Sequence, residues 1–193
     1  MSYEWEDFYL AYSDQESDLK SRLSVIRQYV KKELASNPKV VLSICGGRGL
    51  DLVDLTESQS AYIIDNDKEA INHIGSNIQF LLKDATMSDS YLDIPKVDLL
   101  VCVGFMGSID LDSIKDFISF LPQILNKGAI FIWTIKSDNV DLIQQTEYLL
   151  EEYKFHYVEK KNTDLNRFVC GKHRFYGESQ QIISNKKIMN MTW

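Results

Sequence analysis

Apolar residues in this chain change period several times, and each change marks an element. Over 18–35, DLKSRLSVIRQYVKKELA, the residues Leu19, Leu23, Ile26, Val30 and Leu34 recur at three- and four-residue spacing, which predicts a helix with one buried face. Ser17 is placed to cap it, and the SNP of 36–38 to end it. Short runs rich in Val, Ile and Leu then alternate with helical patterns. The runs KVVLSI (39–44), SAYIID (60–65), IQFLLKDA (78–85), VDLLVCVGF (97–105) and GAIFIWTI (128–135) read as strands. Between them, LDLVDL (50–55), DKEAINHIGSNI (67–78) and DLDSIKDFISFLPQIL (110–125, broken near its end by Pro122) read as helices, and NVDLIQQTEYLLEEY (139–153) follows the last strand as another.

Near-continuous apolar strands suit a sheet covered on both faces, and strand–helix alternation implies parallel βαβ units. The ending differs, because KFHYVEKK (154–161) and RFVCGKHRFY (167–176) have no helical pattern between them. The expected fold is a Rossmann-like, doubly wound α/β sheet of about seven strands, mostly parallel, with a C-terminal antiparallel hairpin and a helical N-terminal cap. One domain is expected over 1–193: a cap region at 1–36, a core at 37–153 and the hairpin at 154–193.

Composition narrows the function. With 193 residues, 45% hydrophobic and 25% charged, the chain can bury a sizeable core. A net charge of −7 argues against a general nucleic-acid binder, although EKKNTDLNRFVCGKHRF (159–175) is locally basic. Cys45, Cys102 and Cys170 lie far apart without Cys/His ligand spacing, so neither a zinc or other metal site nor a disulfide framework is expected. The acidic, aromatic N-terminus lacks the pattern of a signal peptide, and no apolar run is long enough to span a membrane. A reduced, cytoplasmic setting follows as the expectation.

The chemistry concentrates in VVLSICGGRGLDLVDL (40–55), where Gly46, Gly47 and Gly49 follow a strand. In open α/β sheets the first strand–helix turn borders the ligand crevice. A P-loop would need a lysine followed by Ser or Thr, and a dinucleotide turn would need a third glycine where Leu52 stands. Asp51 and Asp54, placed by the pattern in a first helical turn, would oppose a phosphate there.

At this point the chain resembles the class I S-adenosylmethionine-dependent methyltransferases, small bacterial enzymes in particular. Their first motif is an acidic residue ending the first strand, then G-x-G-x-G; VLSICGGRG puts Ser43 at the acidic position and Cys45 at the first glycine, with Gly47 and Gly49 matching the others. The resemblance runs from Val40 to about Ile135 and implies S-adenosylmethionine as cofactor. It gives Asp65, with Asn66 beside it, the ribose hydroxyls; a carboxylate suits a vicinal diol, having one oxygen for each donor. It gives Asp84 and Ala85, in LLKDATM, the adenine, and Val103, Gly104 and Phe105 the methionine end, while Gly46 belongs to the turn. Lys127-Gly128 matches the stop of the family's next helix.

Methyl transfer from a sulfonium depends chiefly on alignment, so no obligatory catalytic motif exists to be found. His173, Tyr12 and Asp14 are the candidates for a base, if the acceptor needs one, with Arg22 behind them; Arg48 reads as a supporting residue. Trp5, Phe8 and Tyr9 read as the packing face of an N-terminal amphipathic helix. The expected activity is methyl transfer to oxygen or nitrogen of a small-molecule acceptor, with no nucleic-acid or membrane partner and the oligomeric state, a homodimer included, left open. A degenerate, non-catalytic cofactor-binding domain and a nicotinamide-dependent oxidoreductase are the rivals.

Overall fold

The computed structural model describes residues 9–14 and 16–191, so Trp5 and Phe8 lie outside the described residues. The strands are β1 (Val40–Ile44), β2 (Ser60–Asp65), β3 (Ile78–Leu82), β4 (Val97–Cys102), β5 (Leu125–Lys136), β6 (Phe155–Asn162) and β7 (Phe168–Phe175). They form one sheet in the order β3-β2-β1-β4-β5-β7-β6. The first five run parallel, and β7 is antiparallel to both β5 and β6. This is the expected doubly wound sheet with its hairpin. The order reverses between β1 and β4, which opens a crevice at their C-terminal ends.

Alternation along the central strands feeds two cores. One face packs on α1 (Asp18–Leu34), whose Val25, Ile26, Tyr29 and Val30 meet Val41, Leu99, Val101 and Ile132. The other packs on α2 (Leu111–Phe120) and α3 (Val140–Glu152), where Phe117, Ile118 and Leu150 meet Leu42, Ile44, Cys102, Phe131 and Trp133. Ser17 caps α1 as expected, its hydroxyl accepting from the Leu19 N–H at 3.2 Å. The completely buried Lys172 of β7 ties α1 to the hairpin through Glu33 at 2.8 Å and Glu159 at 3.3 Å.

Three expected elements are corrected. Residues 50–55 form no helix: Asp54 has φ of +63°, and Asp51 is drawn inward rather than lying on a helical surface. Helix 67–78 shrinks to one 3-10 turn, Ala70–His73, because Gly75 and the start of β3 at Ile78 leave no room for more. Lys127 and Gly128 are not a helix stop. They lie inside β5, where the register against β4 shifts between Val97 and Leu99, and Gly128 takes φ of +90°, a conformation open to glycine at little cost.

The chain after the hairpin was not foreseen. Residues 176–191 run back across the sheet, bridge Lys187 to Met87, and bury Ile188 and Met189 in the core beneath α2. The Ile188 N–H donates to the Thr86 carbonyl at 2.8 Å, and the Asn190 N–H to the Ser113 hydroxyl at 3.0 Å. The tail is thereby tied both to the loop after β3 and to the start of α2. Ile188→Ala is expected to lower unfolding free energy by about 2–5 kcal/mol in urea titration. A change below about 0.5 kcal/mol would mean that the tail merely lies on the surface.

Candidate active site

Register places the turn after β1 beside the ends of β2 and β4, since Ile44 pairs with both Ile64 and Cys102, while Asp65 pairs with Leu82 of β3. Cys45, Asp65, Asn66, Asp84 and Val103 thus share one rim. The Cys45 N–H donates to the Ile64 carbonyl at 2.8 Å, and Cys45 itself takes φ of +54°. Burial pushes its thiol above the usual range, and the nearby Asp65 and Asp84 carboxylates add to this. Gly46 sits so close to Ser43 that a Cβ would lie 2.5 Å from the hydroxyl oxygen. Gly47 has φ of +49°, and a Cβ there would lie 2.1 Å from the Tyr9 hydroxyl. The left-handed conformation favours glycine there, and a larger residue would have to displace the Tyr9 hydroxyl.

Asp65 holds this turn. One of its oxygens accepts from the Gly47 N–H at 2.8 Å and the other from the Asp67 N–H at 2.9 Å. Burial raises its pKa, while the two amides oppose that shift. Asn66 is exposed beside it. Asp84 is also exposed and folds into its own turn, accepting from the Thr86 N–H and hydroxyl at 2.8 and 2.7 Å. The Ala85 carbonyl accepts from the Tyr91 hydroxyl at 2.8 Å.

Ser43, standing where an acidic residue was awaited, has an acid as its partner. Its hydroxyl donates to Asp51 at 3.1 Å, both side chains being buried. Burial raises the Asp51 pKa, opposed by hydrogen bonds from its own backbone and Ser43 and by the charges of Arg22 and Arg27. Arg22, on the first turns of α1, is only 4% exposed. It donates to the Tyr12 hydroxyl at 2.7 Å, lies 4.9 Å above the Phe168 ring, and borders Gly104. Its buried Nε has no hydrogen-bond partner among the described residues. Sequence reasoning missed Asp51 as a site residue; its spacing within the presumed helix concealed it.

The N-terminal segment covers the glycine turn. The Tyr9 hydroxyl accepts from the Arg48 N–H at 3.1 Å, and the Arg48 guanidinium lies 4.0 Å above the Tyr9 ring. Burial raises the Tyr9 pKa to about 12. Burial likewise raises that of Tyr12. On the far side, Val103 is half-buried and Gly104 exposed, its N–H donating to the Thr134 hydroxyl at 3.2 Å. The Phe105 ring points away into the core, edge-on to Phe117 at 5.6 Å, so Phe105 can reach the cleft only with its backbone.

Two candidates for a base leave the site. His173 pairs with Phe131 in mid-sheet, is 3% exposed, and accepts from the Trp133 indole N–H at 3.2 Å. Burial, with Lys160 adding a smaller effect, lowers its pKa to about 4. Asp14 is exposed and accepts only a local bond from the Glu16 N–H at 3.0 Å among the bonds described. Tyr12 alone of the three stays at the cleft.

No protein-family model matches the chain, and no curated protein matches it in sequence. Solved structures do. A magnesium protoporphyrin IX methyltransferase (ChlM) from Synechocystis, with S-adenosylhomocysteine bound, superposes with TM-score 0.70 at 12% identity, over 90% of this chain and 94% of that one. A S-adenosylmethionine-dependent methyltransferase from Clostridium acetobutylicum gives TM-score 0.66 at 13% identity, covering 90% and 99%. The N-methyltransferase NodS from Bradyrhizobium japonicum gives 0.63 at 15%, covering 83% and 99%. This chain has the class I methyltransferase fold. Within that fold the rim of Cys45, Asp65, Asp84 and Gly104 lies at the C-terminal ends of the strands, where open α/β sheets in general bind ligands. No described helix is long and apolar enough to cross a membrane.

The placement of His173 has a measurable consequence. Its pKa is depressed from 6.5 to about 4, so the unfolded chain binds the extra proton between those values and stability falls as pH drops through that window. Comparing denaturation at pH 7 and pH 4, His173→Gln should abolish on the order of 3 kcal/mol of the wild-type loss. An unchanged loss would place the imidazole in solvent.

Proposed function

We propose that the protein transfers a methyl group from S-adenosylmethionine to a small-molecule acceptor. The observation that carries this reading is Asp65. At the end of β2 its carboxylate fixes the Gly47 amide of the glycine turn, and each oxygen keeps a lone pair for one hydroxyl of a ribose. Asp84 and Ala85, one strand further, would hold the adenine; Cys45 and the glycines would let the cofactor approach the backbone.

Arg22 supports the fit. A buried guanidinium with an unpartnered Nε, next to Gly104, suits the carboxylate of a methionine moiety. Ser43 and Asp51 would act behind it, with Asp51 countering the positive charge. When bound, the cofactor supplies a methyl group attached to a sulfonium, whose leaving group is a neutral thioether. The chain's part is to hold, align and exclude water: Tyr9 and Tyr12 cover the turn, and Phe168 closes the side facing Arg22. Similarity to methyltransferases crystallised with S-adenosylmethionine or S-adenosylhomocysteine also supports this reading.

Calorimetry with S-adenosylhomocysteine tests it. Micromolar-range binding is expected, weakened at least tenfold by Asp65→Ala, or about 1.4 kcal/mol, with the fold retained by circular dichroism. No binding by the folded wild type at about 1 mM would overturn the assignment.

A further inference from the structure

Beside Arg22 the cleft has a second compartment, which shares Gly104 and Phe168 with the cofactor contacts proposed above and extends past them. It is a slot of ≈ 60 Å³ between the loop after β4 and the end of β5, lined by Gly104, Gly107, Ser108, Thr134, Lys136 and Phe168, among others. A water needs about 10–15 Å³ of such space, so the slot admits a head of a few heavy atoms and no more. The Thr134 oxygen is occupied as acceptor by the Gly104 N–H, which leaves its own proton to donate. Lys136, an exposed residue, belongs to the lining as well. Phe168 forms an apolar side, with the Arg22 guanidinium 4.9 Å from its ring centroid.

The chemistry of this lining discriminates between acceptors. Among the described residues lining the slot there is no carboxylate and no imidazole. An alcohol or ammonium acceptor must lose a proton, and the described lining has no group suited to take it at neutral pH. A carboxylate arrives without one and is matched by the Thr134 hydroxyl and by the positive charge that the Lys136 side chain carries. Outside, the neighbouring segments carry apolar surface: Val140 is 54% exposed and Leu165 49%. Those segments are stitched together where the Ser137 N–H donates to the Arg167 carbonyl at 3.1 Å.

We propose that the acceptor is a small carboxylic acid with an apolar body, methylated on its carboxylate oxygen to give a methyl ester; this rests on the methyltransferase reading above. A lone pair of the carboxylate oxygen forms the new bond to the methyl carbon while the carbon–sulfur bond breaks and its electron pair stays on sulfur. An anion and a sulfonium become a neutral ester and a neutral thioether, and no proton moves. Because charge disappears along this path, the apolar side that Phe168 gives the slot favours it. Lys136 is then a binding residue for the acid, not an acid–base catalyst.

Titration of the protein saturated with S-adenosylhomocysteine tests the proposal, using hexanoate and hexylamine as probes of equal length. Hexanoate should bind at millimolar concentration, hexylamine at least about tenfold more weakly. Lys136→Met should weaken hexanoate about fivefold or more while leaving S-adenosylhomocysteine affinity unchanged. With methyl-labelled S-adenosylmethionine, label transferred to hexanoate should return as volatile methanol after mild alkali. Equal or tighter binding of hexylamine, no hexanoate binding at about 10 mM, or indifference to Lys136→Met would each overturn the proposal. Failure of S-adenosylhomocysteine itself to bind would remove the methyltransferase reading and this proposal together; its binding without hexanoate would remove this proposal alone.

Discussion

The hydrogen bond from the Gly47 N–H to the Asp65 carboxylate, 2.8 Å long, fixes the geometry on which the rest of the cleft depends. β1 is buried along its whole length, so the chain leaves it into a narrow space between β2 and β4. It turns there through left-handed conformations at Cys45, Gly47 and Gly49. Such a turn points amides outward, and amides facing a cleft need an acceptor. Asp65, arriving from the neighbouring strand, supplies it. Its carboxylate is 9% exposed and is held by two amides, so it joins the two strand ends as one rigid edge.

A second set of charges stands behind that edge. Ser43 occupies the place where the methyltransferase motif has an acid, and Asp51 brings a carboxylate to it from eight residues along the chain. Arg22 approaches from α1 and Tyr12 from the segment before it. A buried arginine is tolerated only where charge and hydrogen bonds answer it. Asp51 and Tyr12 answer part of the demand; the buried Nε has no partner among the described residues, and the terminal nitrogens of the guanidinium border Gly104. Ser43 therefore stands hydrogen-bonded to a carboxylate where the motif has a carboxylate of its own.

The sheet was legible because its strands announce themselves by β-branched and apolar runs, and α1 by a clean helical stripe. The positions of Asp65 and Asp84 followed from counting strand ends. What failed was local. Residues 50–55 alternate polar and apolar groups like a first helical turn, yet the burial of Asp51 against Ser43 outweighs that propensity. Lys127-Gly128 looked like a helix stop, but pairing of Leu125 with Val97 extends β5 backwards through both. His173 lies on a strand near basic residues, and only the packing of Trp133 and Tyr157 around it reveals a core histidine. The tail gave too few apolar positions for any period to show, although Ile188 and Met189 are wholly enclosed.

Amide chemical shifts during titration with S-adenosylhomocysteine test the central claim, that the strand ends from β1 to β4 form one cofactor cleft. The largest changes are expected at Gly47, Asp67, Ala85 and Gly104, four segments far apart in sequence that saturate together. Changes confined to the opposite end of the sheet, around Lys39 and Gly128, or no changes in the folded protein, would contradict it.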